Sequence, residues 1–224
     1  MEIAPNVYWI PGITANPYLL RDPDGLTLVD AGLPGSQKKI LAYMASLGFA
    51  PSDLKRILVT HSDFDHVGGL AALKKATGAR VYASQIEAAA IANGKPSRAI
   101  RPANPLTRLV MGTLSNIVKS TPLQVDEILT DGQVLPVLGG LRVLDTPGHT
   151  PGHISFFAPQ PNVLFCGDSM VVREAGLEPS RPGITWYRAA ADASVRKQAA
   201  LGAQIVCSGH GPVVQDAVGK YPQV

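Results

Sequence analysis

Short apolar blocks, each closed by glycine, aspartate or histidine, run the length of this chain. Val7-Tyr8-Trp9-Ile10, Tyr18-Leu19-Leu20 and Leu26-Thr27-Leu28-Val29-Asp30 predict three strands, the last two joined by a turn at Asp24-Gly25. Over residues 36–47 the period changes. Ile40, Leu41, Met44 and Leu47 form the stripe of a helix that Ser36 can cap and Gly48 ends. Ile57-Leu58-Val59 predicts a buried strand and residues 68–75 the helix behind it. Thr77-Gly78-Ala79 then turns into the strand Arg80-Val81-Tyr82-Ala83, so the first half alternates strand and helix as layered α/β folds do.

The second half is richer in strands. Residues 134–138 and 141–144 flank a turn at Gly139-Gly140, and residues 154–157 and 163–165 flank the loop 159–162. Residues 171–187, with Arg173, Arg181, Trp186 and Tyr187, read as a long loop. A last helix from about Tyr187 to Leu201 leads into the strand Gln204-Ile205-Val206-Cys207. Residues 84–125 break the rhythm: no acidic residue lies between Glu87 and Asp126, while Lys95, Arg98, Arg101, Arg108 and Lys119 are basic. Pro96, Pro102 and Pro105 bound a loop there, and Leu106, Leu109, Val110, Leu114, Ile117 and Val118 recur at helical spacing. This segment is expected either to be a lid over a site or to form a packing or dimer face with solvated charges.

Composition narrows the class. An apolar share of 46% in 224 residues supports a full globular core, and 17% charged residues argue against disorder. A net charge of +3, scattered along the chain, gives no basis for nucleic-acid binding. No apolar run is long enough to span a membrane, and Met1-Glu2-Ile3-Ala4-Pro5 does not open a secretory signal. With only Cys166 and Cys207, both closing apolar runs, the expectation is a reduced, cytoplasmic protein whose cysteines are buried small hydrophobes.

The candidate chemistry sits where strands end. Thr60-His61-Ser62-Asp63-Phe64-Asp65-His66-Val67-Gly68-Gly69 packs two histidines and two aspartates between a strand and a helix. In an extended turn His61 and Asp63 point the same way, and Asp65 and His66 fall at the helix start. His149 and His153 follow the strand at 141–144, Asp168 follows 163–165, and His210 follows 204–207. Imidazole mixed with carboxylate suits zinc, iron or manganese. Four of the five histidines stand at such turns beside aspartates, which lifts them above ordinary structural histidines.

His61-x-Asp63-x-Asp65-His66, then His149, Asp168 and His210 in that order, resembles the metallo-β-lactamase-fold hydrolases over nearly the whole chain, from Asn6 to Gly211. The resemblance implies an α/β fold: a four-layer αββα sandwich forming a single domain over residues 1–224, with the metal site at one edge of the β-sandwich. It implies two divalent metal ions, zinc by preference. His61, Asp63 and His149 would hold the first, Asp65, His66 and His210 the second, and Asp168 would bridge them. Asp30 and His153 would stand behind these ligands, Asp30 doubling as a candidate turn or cap residue. The family's usual motif is His-x-His-x-Asp-His; here Asp63 replaces the second histidine. A carboxylate is the harder ligand, which brings manganese or iron into play.

On this resemblance two metals about 3.5–4 Å apart would share a hydroxide, oriented by Asp65, that attacks a carbonyl or phosphoryl centre. The expected activity is hydrolysis of an ester, lactone, thioester or phosphoester bond of a small molecule. Because the chain ends 14 residues after His210 and opens without a signal peptide, a lactonase-like or esterase-like enzyme is expected ahead of the glutathione-thioester or secreted β-lactamase branches. An iron-dependent oxidoreductase resembling persulfide dioxygenases is the alternative, and a non-catalytic binding module the third reading. Arg101, Arg108, Trp186 and Tyr187 are the substrate-side candidates by location, and a homodimer remains open. No nucleic-acid or membrane partner is expected.

Overall fold

The structure is a computed structural model that describes residues 1–98, 120–173 and 176–224. Seven strands lie side by side in chain order in the first sheet: β1 Glu2–Ala4, β2 Val7–Trp9, β3 Tyr18–Asp22, β4 Gly25–Val29, β5 Leu54–Leu58, β6 Arg80–Ser84 and β7 Glu127–Leu129. β1 to β4 form an antiparallel meander, and β4 to β7 run parallel. The second sheet has the order β14-β11-β10-β9-β8, built from β8 Val134–Leu135, β9 Leu141–Asp145, β10 Ile154–Ala158, β11 Val163–Gly167 and β14 Ile205–Ser208. Among the described residues the helices are α1 Ser36–Ser46, α2 Phe64–Val67, α3 Leu70–Thr77, α4 Gln85–Ala92 and α5 Arg188–Ala199.

Alternation along the strands builds the layers. Successive side chains point to opposite faces, so a strand buried on both sides reads as a continuous apolar run. On β3, Tyr18 and Leu20 join the core between the sheets while Leu19 joins the helix-side core. On β11, Val163 and Phe165 face the inter-sheet core, and Leu164 and Cys166 face the core beneath α5. Ile40, Met44, Leu70, Leu73 and Ile91 cover the outer face of the first sheet from α1, α3 and α4. Val195 of α5 and Leu177 cover the second sheet. The result is the expected α/β four-layer αββα sandwich. Cys166 and Cys207 are buried and free, as anticipated.

Several local expectations need correction. Gly35, not Ser36, stands at the N-cap of α1, and no side chain caps it. The β3–β4 turn is Pro23-Asp24, one residue earlier than expected, because Asp22 pairs with Gly25. The strand expected at 134–138 stops at Leu135, and residues 136–140 form the turn. Residues 171–187 are not one loop. β12 Met170–Arg173 and β13 Gly176–Pro179 form a hairpin whose apolar residues Val172 and Leu177 pack into the core beneath α5. The segment 84–125 does not break the strand–helix rhythm at its start: Ser84 ends β6 and caps α4, and Ala88 and Ile91 pack into the helix-side core. Its periodicity is mostly alanine, which gives little amphipathic signal. The helix expected at 106–118 lies outside the described residues. Among the described residues no helix is long and apolar enough to cross a membrane.

The motif loop is fixed by close backbone packing. A Cβ at Gly69 would collide with the carbonyl oxygen of Ala31, and one at Gly68 with Pro34. The Ala31 amide donates to His66 O (2.8 Å) and the Gly69 amide to Gly32 O (3.0 Å). Two glycines therefore let α2 and α3 lie directly on the turn after β4. Gly69→Ala is expected to destabilise the fold by about 1–3 kcal/mol through overpacking, read as a lower urea midpoint; an unchanged midpoint would show that this contact relaxes freely.

Candidate metal centre

β4, β5 and β6 run in one direction in the first sheet, as do β9, β11 and β14 in the second. The C-terminal ends of these strands carry Asp30, the 61–66 loop, Glu87 on α4, His149, Asp168 and His210. The two edges are joined by the Ile154 amide donating to Thr60 O (3.0 Å). Loops on rigid strand ends can present side chains from distant parts of a chain at one point.

The structure brings together all seven residues grouped as ligands from the sequence. Ligand atoms of His61, Asp63 and His149 lie within 4.8 Å of one another, as do those of Asp65, His66 and His210, and those of His61, His66 and Asp168. Asp168 stands between the groups. Its Oδ1 is 3.3 Å from His66 Nε2, and its Oδ2 is 3.4 Å from His210 Nε2 and 3.7 Å from His149 Nε2. His61, His66 and His149 are buried, while Asp65 and His210 are about one-third exposed and form the open rim.

The hydrogen bonds behind the rings set which nitrogen faces the centre. Asp30 Oδ2 takes the Nδ1–H of His66 (2.8 Å) and the Thr60 hydroxyl (2.8 Å), and Asp30 Oδ1 takes the Thr60 amide (2.9 Å). With its proton given to Asp30, Thr60 Oγ1 accepts from His61 Nδ1 (2.9 Å). Ser180 Oγ meets His149 Nδ1 (2.8 Å). Each of these three rings thus turns Nε2 inward. This is the arrangement of metal-binding histidines, whose outer N–H is held by a carboxylate or oxygen acceptor. Among the described residues His61 Nε2, His66 Nε2, Asp63 Oδ1 and Asp168 Oδ1 are buried with no hydrogen-bond partner. Buried polar atoms are rarely left so unless an ion or water serves them, and the donor set fits a divalent cation.

His153 supports the site. Its Nε2 accepts from the Asp168 amide (3.1 Å), and its Nδ1 meets Thr146 Oγ1 (2.8 Å). Burial, reinforced by His149, pushes its pKa down to about 3, so it stays neutral and keeps that lone pair available. Trp186 and Tyr187 are joined to the His149 turn by backbone: their amides donate to His149 O (3.1 Å) and Gly148 O (3.0 Å). Trp186 lines a cleft of about 320 Å³ with Ser97, Arg98 and residues 182–185. Tyr187 is exposed and is not among the residues lining that cleft. Arg101 and Arg108 lie outside the described residues.

Three supporting residues were not singled out from the sequence. Glu87 is wholly buried. Its Oε2 accepts from the Ser62 amide (2.9 Å), and its Oε1 from Ser97 Oγ (2.8 Å), Thr150 Oγ1 (2.7 Å) and the Gly152 amide (3.0 Å). It ties the 61–66 loop to the 149–153 loop. Asn16 donates to Ser208 O (3.1 Å) and Gly211 O (2.7 Å), bracing the His210 turn. Arg98 is buried, and its guanidinium donates to Asp63 Oδ2 and to His149 Nε2 (3.2 Å). The sequence marks Arg98 as one of a run of basic residues, with nothing to set it apart from its neighbours.

Electrostatically the centre is strongly coupled. Burial alone would disfavour the His66 imidazolium, but Asp168 and Asp30 outweigh it and hold its pKa well above the ordinary value. Hydrogen bonds to Asp168 and Asp65 push His210 up to about 10. Burial works against the Asp168 carboxylate, but His66 and His210 hold it well below the usual range. Burial, with His66 and His149 nearby, keeps His61 neutral.

Comparison with known proteins agrees with this arrangement. The model of the Metallo-beta-lactamase superfamily matches residues 10–210. A probable metallo-hydrolase of Bacillus subtilis (strain 168) is 31% identical over 77% of this chain and 67% of its own length. A hydroxyacylglutathione hydrolase of Ectopseudomonas mendocina is 33% identical over 71% of this chain and 48% of its own length. The matched part of this chain thus spans from about half to two thirds of the curated relatives. A metallo-beta-lactamase family protein from Thermus thermophilus superimposes with a TM-score of 0.75 at 27% identity, covering 97% of this chain and 77% of that one.

In the metal-free chain the raised pKa values leave His66 and His210 protonated at neutral pH. Both must shed the Nε2 proton to coordinate. Zinc uptake is therefore expected to release protons, and apparent affinity to go on rising with pH up to about pH 10, where His210 gives up its proton unaided. Calorimetry in buffers of different ionisation enthalpy measures this; heats independent of buffer would contradict it.

Proposed function

Since the chain belongs to the metallo-beta-lactamase superfamily, we propose that it is a metallo-hydrolase that cleaves an ester, thioester or lactone bond of a small molecule at a two-position metal centre. The observation that carries this reading is Asp168. One buried carboxylate faces His149 of one cluster and His66 and His210 of the other. His61, Asp63 and His149 would hold one ion and Asp65, His66 and His210 the other, with Asp168 shared between them. Divalent ions bound there supply Lewis acidity and lower the pKa of water to about 7. Zinc suits the imidazoles, and the carboxylate at Asp63 extends the range to manganese or iron.

The chain's own residues shape the rest. Asp65 stays ionised, because its pairing with His210 (3.2 Å) outweighs the effect of burial. From the exposed rim its carboxylate can orient the attacking water. Asp30, His153 and Ser180 fix the buried groups, so little reorganisation is needed as charge develops on the substrate oxygen. The cleft of about 320 Å³ beside Trp186 is at the small end of small-molecule sites. Thioesters are the first substrates to try, because hydroxyacylglutathione hydrolases are among the relatives; lactones, aryl esters and phosphoesters complete the panel.

The test is hydrolysis across that panel by protein loaded with zinc, manganese or iron. Activity on at least one class is expected, abolished by chelation and reduced at least about 100-fold by Asp168→Asn. Equal turnover by the chelated protein or by Asp168→Asn would contradict the proposal. Oxygen consumption by iron-loaded protein with no hydrolysis would favour the oxidoreductase reading that Asp63 keeps open.

A further inference from the structure

We propose that the Arg98 guanidinium is a built-in counter-cation of the His61–Asp63–His149 cluster and makes it the weaker of the two metal positions. This rests on the metallo-hydrolase reading and concerns which half of the centre fills first.

Arginine has only donors. Towards Arg98 Nη2 both Asp63 Oδ2 and His149 Nε2 act as acceptors; the two also lie 3.1 Å from each other, so with its proton on Nε2 His149 would donate to Asp63 instead. His149 Nε2 offers its lone pair, with Nδ1–H turned to Ser180 Oγ. Both groups belong to the cluster that would hold a divalent ion, and of the Asp63 carboxylate only Oδ1 is left without a partner. Arg98 thus already meets the need that a metal would meet: it supplies positive charge to the Asp63 carboxylate and a partner to His149. A guanidinium does not give up its proton in proteins, so its charge cannot be titrated away to make room. An entering ion must displace Arg98 or bind against a like charge.

The contact is anchored. The Ser97 amide donates to Ser62 Oγ (3.0 Å) and Ser97 Oγ to Glu87 Oε1 (2.8 Å), which fixes the backbone beside Arg98 to the metal loop. The arginine side chain is 3% exposed. The other half of the centre differs: among the described residues no lysine or arginine pairs with Asp65, His66, Asp168 or His210. An ion there meets two carboxylates and two imidazoles, which can give up a proton to it, with no lysine or arginine beside them among the described residues. The cleft that Arg98 lines with residues 182–186 gives a displaced guanidinium somewhere to go. Asp63 and Arg98 therefore act together, the carboxylate in place of the family's usual second histidine calling for a positive charge that Arg98 provides.

The test is zinc titration of the full metal-free chain by calorimetry, with bound metal counted after dialysis, for wild type, Arg98→Met and Arg98→Lys. Wild type should show one tight site and a second at least about tenfold weaker. Arg98→Met should tighten the second site by at least about tenfold while the first is unchanged, and Arg98→Lys, which keeps the charge, should retain the asymmetry. Far-UV circular dichroism confirms folding, and Arg98→Gln replaces the methionine variant should that fail to fold. Two equal sites in wild type, or an unchanged second site in the neutral variant, overturn the role of Arg98 but leave the hydrolase reading standing. Wild type that takes up no zinc overturns both.

Discussion

Asp168 is a carboxylate almost fully removed from water, and the arrangement around it follows from having to support that charge. Moving such a group into a protein interior costs several kcal/mol unless partners compensate. Its two oxygens face His66, His149 and His210, and its amide is held by His153. These partners arrive from β5, β9 and β14, three strand ends in two sheets. The αββα stack makes that meeting possible, because alternating side chains bury both faces of each sheet and leave the strand ends as the place for polar groups.

Behind the centre stand groups whose role is orientation. Asp30 fixes Thr60 and His66, and through Thr60 fixes His61. Glu87 joins the two ligand loops across the sheets, and Asn16 braces the turn of His210. A Cβ at Gly209 would overlap Asp168 Oδ1 and the His66 ring, so the backbone itself must approach the centre closely there. Each of these contacts removes freedom from a ligand before any ion binds, which is the condition for high affinity and for catalysis without reorganisation.

Much of this was legible in the residues. Apolar runs ending in Gly, Asp and His located the strand ends, and the ordered set from His61 to His210 named side chains that the structure gathers into groups within 4.8 Å. Asp30 and His153 were expected behind that set, and the structure has them hydrogen-bonded to His66 Nδ1 and to the Asp168 amide. Glu87 was not expected, because a lone glutamate on an alanine-rich helix looks solvated until the fold buries it. Arg98 was hidden for the same reason, since a basic run usually marks a wet surface. The β12–β13 hairpin was missed because its partners pair only with each other. Asn16 acts across more than 190 residues, beyond the reach of any local pattern.

The central claim is that buried lone pairs from two sheets converge to hold a divalent ion next to Asp168. The most direct measurement is anomalous X-ray diffraction from zinc-soaked crystals. The expected result is a strong peak bounded by Asp65, His66, Asp168 and His210. Crystals in which zinc occupies only surface positions, leaving those four side chains without a peak between them, would contradict it.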